Sequence, residues 1–207
     1  IHVVGSARFC EEWQEVHEKI VPRAELPEDD GRLKVIYFDH SVRYRMQEDE
    51  ISDSLLDIAS LDFVNFMLKP NPRVNVPSIP SLEGKVQIDI KSQSLELIRW
   101  ADVVMNVVST IFVDAYRQKK IFIFPAYFTE NQFYFEQFNA CWKVSSKAEL
   151  LAALRGIHEK TMPIPYSEDD IHAFQREVVY GGVEGADVLG LYADFLVNHP
   201  YSSATSR

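Results

Sequence analysis

Residues 101–125, ADVVMNVVSTIFVDAYRQKKIFIFP, read as one strand–turn–helix–strand unit. Residues 103–108 form a short apolar run without alternation, as expected of a parallel strand buried on both faces. Ser109 and Thr110 follow at once, and either hydroxyl can cap a helix by accepting from backbone N–H groups. Ile111, Phe112, Ala115 and Tyr116 then recur at three- and four-residue spacing, which makes one apolar helix face. Lys119 and Lys120 close the helix, where cations suit its dipole. Residues 121–124 are a second apolar run ended by Pro125, so the economical geometry is a right-handed crossover between two parallel strands. A helix N-terminus at the carboxyl end of a strand is a natural anion site. The alternative at Ser109 and Thr110 is that the hydroxyls cap the helix and do nothing else.

Working outward, the same alternation extends along the chain. Strands are expected at residues 1–4, 33–38, 63–68, 86–90 and 141–144. Helices are expected at about 9–20, 48–58, 94–100, 146–157, 169–180 and 186–198. The first of these carries Phe9, Trp13, Val16 and Ile20 on one face. Ser146 with Glu149 three residues on has the form of a capping box. The segments 21–32, VPRAELPEDDGR, and 74–84 are loops by their Pro, Gly, Ser and acidic content. Alternating strands and helices make an α/β domain with a mostly parallel sheet flanked by helices. The expected layout is that α/β domain over 1–160, C-terminal helices over 161–200, and a disordered tail over 201–207.

Composition limits what such a domain does. The 207 residues suffice for one domain with a sizeable core, and 46% hydrophobic with 25% charged residues is ordinary for a soluble protein. With 21 basic against 31 acidic side chains the formal charge is −10, which argues against nucleic acid or an anionic membrane as a broad partner. Cys10 and Cys141 stand far apart and outside any metal-ligand spacing, as reduced thiols of a cytoplasmic protein do. No stretch has the length of a membrane span. The chain opens on Ile1, and a strand at 1–4 has no earlier partner, so a piece of a longer protein is expected.

In a parallel sheet, ligands sit beyond the carboxyl ends of the strands, and the strand exits here are polar. Gly5 allows a close backbone approach, Ser6 adds a hydroxyl and Arg8 a charge. Lys69-Pro70-Asn71-Pro72-Arg73 is a proline-stiffened loop with two cations and an amide, suited to a phosphorylated ligand or simply a rigid surface loop. Asp114, one turn inside the helix, can accept from a ribose diol or merely favour the dipole. Asp39, His40, Arg43 and Arg45 form another polar cluster, in which His40 is the one candidate acid. Tyr127, Phe128, Phe133, Tyr134, Phe135 and Phe138 fit stacking on a base but fit core packing better. Neither a GxGxxG fingerprint nor a Walker loop occurs, and no metal motif is present.

Taken together, these exits resemble the C-terminal, nucleotide-sugar-binding half of GT-B-fold glycosyltransferases, in particular bacterial surface-carbohydrate transferases and the CDP-glycerol glycerophosphotransferase group. VVGSARFCEEW is similar to the G-S-x-R-F element where the chain enters the second domain. MLKPNPR resembles the K-P-H-P-R loop, and residues 101–125 the A-D-x-x-I…S-S-T…E/D-A…K-P-x-I-x-x-P signature. VVYGGVEGADVLGLYADFL resembles the terminal helix that packs toward the first domain. The resemblance implies a Rossmann-like donor-binding domain over 1–160, one half of a GT-B fold, with the helices over 161–200 packing back on it. It also implies a metal-independent transferase with no cofactor, its substrate a CMP-, CDP- or UDP-linked donor. It places Ser109 and Thr110 on the donor phosphates, Asp114 on the ribose, and Lys69, Asn71 and Arg73 in the pocket near Gly5, Ser6 and Arg8. Asn71 departs from the family, which often has histidine there; asparagine donates to phosphate but transfers no proton. The glycan or lipid-linked acceptor and the catalytic base would come from an N-terminal domain missing here, at the inner face of the cytoplasmic membrane. The rival readings are a CDP-linked phosphoalcohol transferase, half of a sugar-nucleotide epimerase, and a non-catalytic flavodoxin-like module that binds protein.

Overall fold

The computed structural model of the protein describes residues 3–40 and 45–198. Six strands form one parallel sheet: β1 (Leu33–Phe38), β2 (Val64–Lys69), β3 (Gln87–Ile88), β4 (Val103–Met105), β5 (Ile121–Pro125) and β6 (Trp142–Val144). Their order is β3-β2-β1-β4-β5-β6. The chain starts in the middle, runs out to one edge, then crosses back and runs to the other. The direction reverses between β1 and β4, so the loops leaving these two strands diverge and leave a crevice.

Seven α-helices accompany the sheet among the described residues: α1 (Glu11–Ile20), α2 (Glu48–Ala59), α3 (Ser94–Trp100), α4 (Ile111–Arg117), α5 (Lys147–His158), α6 (Glu168–Val178) and α7 (Val188–Asn198). Val35, Ile36 and Tyr37 of β1, Val103, Val104 and Met105 of β4, and Phe122 and Ile123 of β5 are fully buried. Unbroken burial along a strand requires cover on both faces, which is why these stretches are continuously apolar in sequence. α2 supplies Ile51, Leu55 and Ile58 to the core, and α5 supplies Leu150 and Leu154. Ser146 caps α5 by accepting from the Glu149 N–H at 3.2 Å, while Glu149 accepts from the Ser145 N–H at 2.7 Å. α6 begins with a reciprocal capping box between Ser167 and Asp170.

Several expected elements differ. Residues 3 and 4 lie in no strand, and 1–2 fall outside the described residues, as do 199–207 with the expected tail. β4 stops at Met105 rather than residue 108 because Asn106 turns out of the ladder. Its amide donates to the Phe38 carbonyl at 2.9 Å and accepts from the Ser109 N–H at 2.7 Å. α1 is inverted relative to a core helix. Its one buried residue is Gln14, while Trp13, Val16 and Ile20 are 43%, 47% and 64% exposed. Gln14 faces the domain, where its amide donates to the Arg8 carbonyl at 2.7 Å beside the buried Asp114. No helix among the described residues is long and apolar enough to cross a membrane.

Candidate functional site

A cavity of about 400 Å³ opens where β1, β2 and β4 end. It is lined by Arg8, Asp39, Lys69, Asn71, Arg73, Ser109 and Thr110, with Phe38, Pro70, Pro72, Ser94, Val108 and Ile111 between them. The topology explains the convergence. Lys69 is the last residue of β2 and Asp39 the first after β1, while Ser109 and Thr110 follow β4. Three cationic side chains thus meet at the topological switch point of an otherwise acidic protein.

Lys69 is the buried cation of the set, with its ammonium 3.8 Å from the Asp89 carboxylate. Burial holds its pKa below the usual lysine value, and the Asp89 charge opposes that shift only in part. Asp89 is itself held by the Ser92 hydroxyl and N–H and by the Lys91 N–H. Arg73 is exposed on the proline-stiffened loop. The Asn71 side-chain oxygen accepts from the Arg73 N–H at 3.0 Å, which spends the oxygen on the turn and leaves the amide NH2 as the end able to donate to a ligand. Ser109 accepts from the Ile111 N–H at 3.3 Å, so its hydroxyl serves the first N–H of the helix. Thr110 stands at the helix start with no side-chain cap bond and is exposed.

Gly5 and Ser6 lie outside the cavity lining. The Ser6 N–H donates to the Val179 carbonyl at 2.7 Å. Gly5 has φ +76°, and a Cβ there would collide with that carbonyl oxygen. Glycine is required here by the close approach of two backbones. Arg8, three residues on, does reach the cavity and lies 5.1 Å over the ring of Phe9. The segment therefore acts as a strap that carries Arg8 to the site.

Asp114 also lies outside the lining and is only 5% exposed. One of its carboxylate oxygens is buried without a hydrogen-bond partner. Burial raises its pKa, against the opposing pull of Arg8, His17, Arg117 and Gln14. A carboxyl whose folded pKa is raised binds its proton more readily in the native state. Its contribution is most favourable below the unfolded value and is lost as pH rises through the raised folded value. Asp114→Asn is therefore expected to raise Tm at pH 7 by about 2–4 °C, roughly 1 kcal/mol in a chain of this size. The gain should shrink as pH falls toward about 4. Calorimetric melts across pH check this; a lower Tm at pH 7 would mean that the surrounding cations outweigh burial.

His40 is buried and outside the cavity lining, its Nδ1 3.0 Å from Asp39 and 3.3 Å from the Ser78 hydroxyl. Arg43 lies outside the described residues, and Arg45 is exposed. Among the aromatics, Phe128 and Phe135 are core, Phe135 packing against Phe112, Phe122, Phe124 and Phe133. Asp39, Asn106 and Ser78 are the residues whose part in the site sequence reasoning missed or left undefined. Asn106 had a signal, a lone amide inside an apolar strand run; Ser78 had none, because its partner is remote in sequence. A second cavity of about 360 Å³ at the amino end of β5 mixes Lys119, Lys120 and His172 with Glu168 and Tyr166, and has no convergent set of one charge.

No family model matches the chain, and no curated protein is detectably similar to it in sequence. Solved structures are similar. The glycotransferase of kitacinnamycin aligns with TM-score 0.52 and 13% identity, over 95% of this chain and 53% of that one. The wall teichoic acid polymerase TagF gives 0.48 and 13% identity, over 89% and 49%. KpsC of Thermosulfurimonas dismutans, a beta Kdo 2,4 transferase, gives 0.41 and 17% identity, over 51% and 36%. The chain spans between about a third and a half of the length of these structures. At such identities the likeness is one of fold, and the fold class is the expected one: a Rossmann-like α/β domain with a parallel sheet, like one half of a GT-B glycosyltransferase.

Proposed function

We propose that this chain is the donor-binding half of a nucleotide-sugar-dependent glycosyltransferase of bacterial surface polysaccharide synthesis. The observation that carries the reading is the cavity at the β1/β4 switch point, where buried Lys69 meets Arg8, Arg73 and the Asn71 amide. Opposed cations in a crevice of this volume suit the diphosphate of a CDP- or UDP-linked donor. Their chemical role is to stabilise the negative charge that grows on the leaving phosphate as the bond to the anomeric carbon breaks. Preorganised cations do this without a change of their own geometry. The acceptor and the base that activates it belong to a further domain, so donor binding, not turnover, is the activity assigned to these residues.

The test is titration calorimetry of the chain with CMP, CDP, UDP and GDP. The expected result is saturable binding of a nucleoside diphosphate, weaker for the monophosphate, with the preferred base narrowing the donor class. Affinity should fall steeply with salt, because the contacts are to phosphate charge. No binding of any of the four at millimolar concentration would overturn the donor reading and favour a module that binds protein.

A further inference from the structure

The loop that carries Asn71 and Arg73 is long, exposed at Arg73 and bounded by prolines, yet it has to hold those side chains over the cavity. Both of its ends are tied to one residue. Where the loop leaves β2, the Lys69 carbonyl accepts from the Asp39 N–H at 2.9 Å. Where it returns, the Asp39 carboxylate accepts from the Ser78 N–H at 2.6 Å and from the Ser78 hydroxyl at 2.6 Å. Asp39 is itself fixed by the His40 N–H at 2.8 Å and by the His40 ring. Burial alone would raise the carboxyl pKa, but these bonds from His40 and Ser78 outweigh it and keep the group ionised at neutral pH. Within the loop, the Asn71 carbonyl accepts from the Val74 and Asn75 N–H groups at 3.0 Å, which folds the segment into a compact turn.

We propose that Asp39 is a positioning residue that closes the loop 70–77 at both ends and thereby sets Asn71 and Arg73 over the cavity. Charge-assisted bonds to a buried carboxylate are the strong kind, and two of them act on the same serine. Asp39 lines the cavity wall, but a carboxylate there repels a phosphate; its place is explained by what it holds. The consequence for the nucleotide is indirect and rests on the donor reading above. The consequence for the loop does not.

The two are separated by one set of variants in the full chain: Ser78→Ala, Ser78→Thr and Asp39→Asn. Trypsin does not cut Lys69-Pro70 but does cut Arg73-Val74, so cleavage after Arg73 reports loop opening directly. Losing a hydrogen bond to a charged group should raise that cleavage rate about tenfold in Ser78→Ala, since proteolysis tracks the open population. Cleavage at other sites and Tm should change far less, and Ser78→Thr, which keeps the hydroxyl, should restore the wild-type rate. Affinity for CDP or UDP should fall about tenfold in Ser78→Ala and recover in Ser78→Thr. Unchanged cleavage after Arg73 in Ser78→Ala overturns the clamp, as does a rise that merely parallels every other site and a lowered Tm. Faster cleavage with unchanged nucleotide affinity overturns the positioning role. Wild-type protein that binds no nucleotide refutes the donor reading, while the cleavage rates still decide the clamp. Asp39→Asn should match or exceed Ser78→Ala; if it fails to fold, Ser78→Ala alone decides.

Discussion

Lys69→Met is expected to weaken nucleoside diphosphate binding about 100-fold without lowering Tm. The affinity loss is the order expected when one member of a desolvated charge pair is removed, and it corresponds to roughly 2.7 kcal/mol. Stability should hold for two reasons. Asp89 keeps its bonds from Ser92 and Lys91, so it is not orphaned when the lysine goes. Burial also disfavours the charged form of Lys69 in the folded state, as its lowered pKa records. A lysine of lowered folded pKa costs stability while charged, and the cost is relieved as pH rises through the lowered value toward about 10.4. Methionine fills a similar space with no charge to desolvate. The same shift predicts that wild-type affinity declines with alkaline pH earlier than an ordinary lysine would allow. Calorimetric titration and melting of the two proteins side by side check the prediction. If Lys69→Met binds nucleotide as tightly as wild type, the anion-binding role of Lys69 is wrong; if Tm collapses, its role is structural.

How much of this was legible in the residues differs by element, for physical reasons. β1, β2 and β5 were readable because strands covered on both faces leave apolar runs, broken in β1 only by Lys34 and within β2 by Asn65, and α5 because Ser146 and Glu149 announce its cap. The cavity was readable as a set of strand exits once the sheet was taken as parallel: Arg8, Lys69, Asn71, Arg73, Ser109 and Thr110 all line it. Gly5, Ser6 and Asp114, expected at the ligand, lie outside the lining of this cavity. Gly5 answers to the backbone of residue 179, a contact of two remote segments that no local pattern carries. Asp114 shows the limit of helical spacing, which gives the turn a residue occupies but not what packs over it; here α1 lays Gln14 above it. The periodicity of α1 was correct and its implied burial was not. Trp13, Val16 and Ile20 do share a face, and that face is turned to solvent.

One of the ties on the strap that brings Arg8 to the cavity runs through α6, and Phe174→Ala is expected to expose it. Phe174 is the one buried residue of α6 and is 1% exposed. Its ring lies 5.2 Å from Phe112, 5.9 Å from Tyr116 and 5.5 Å from Phe138, so it docks α6 onto α4 and onto the turn before β6. Truncating a buried phenylalanine costs about 3–5 kcal/mol, through lost transfer energy and the cavity left behind. For a chain of this size that is a fall in Tm on the order of 10 °C. The loss should not stay in α6. The helix runs into Val179, whose carbonyl accepts the Ser6 N–H and presses on Gly5. Loosening α6 should therefore release the strap before it disturbs the sheet, because the ring contacts of Phe174 are to Phe112, Tyr116 and Phe138. Native-state hydrogen exchange separates the two effects: the Ser6 amide should lose far more protection than the β1 amides. Arg8 keeps the bond from Gln14 to its carbonyl and the buried Phe9 beside it, so nucleotide affinity should fall only modestly in the folded fraction. Equal loss of protection at Ser6 and throughout β1 would instead show that α6, the strap and the sheet open as one unit, and a destabilisation below about 1 kcal/mol would refute the anchor itself.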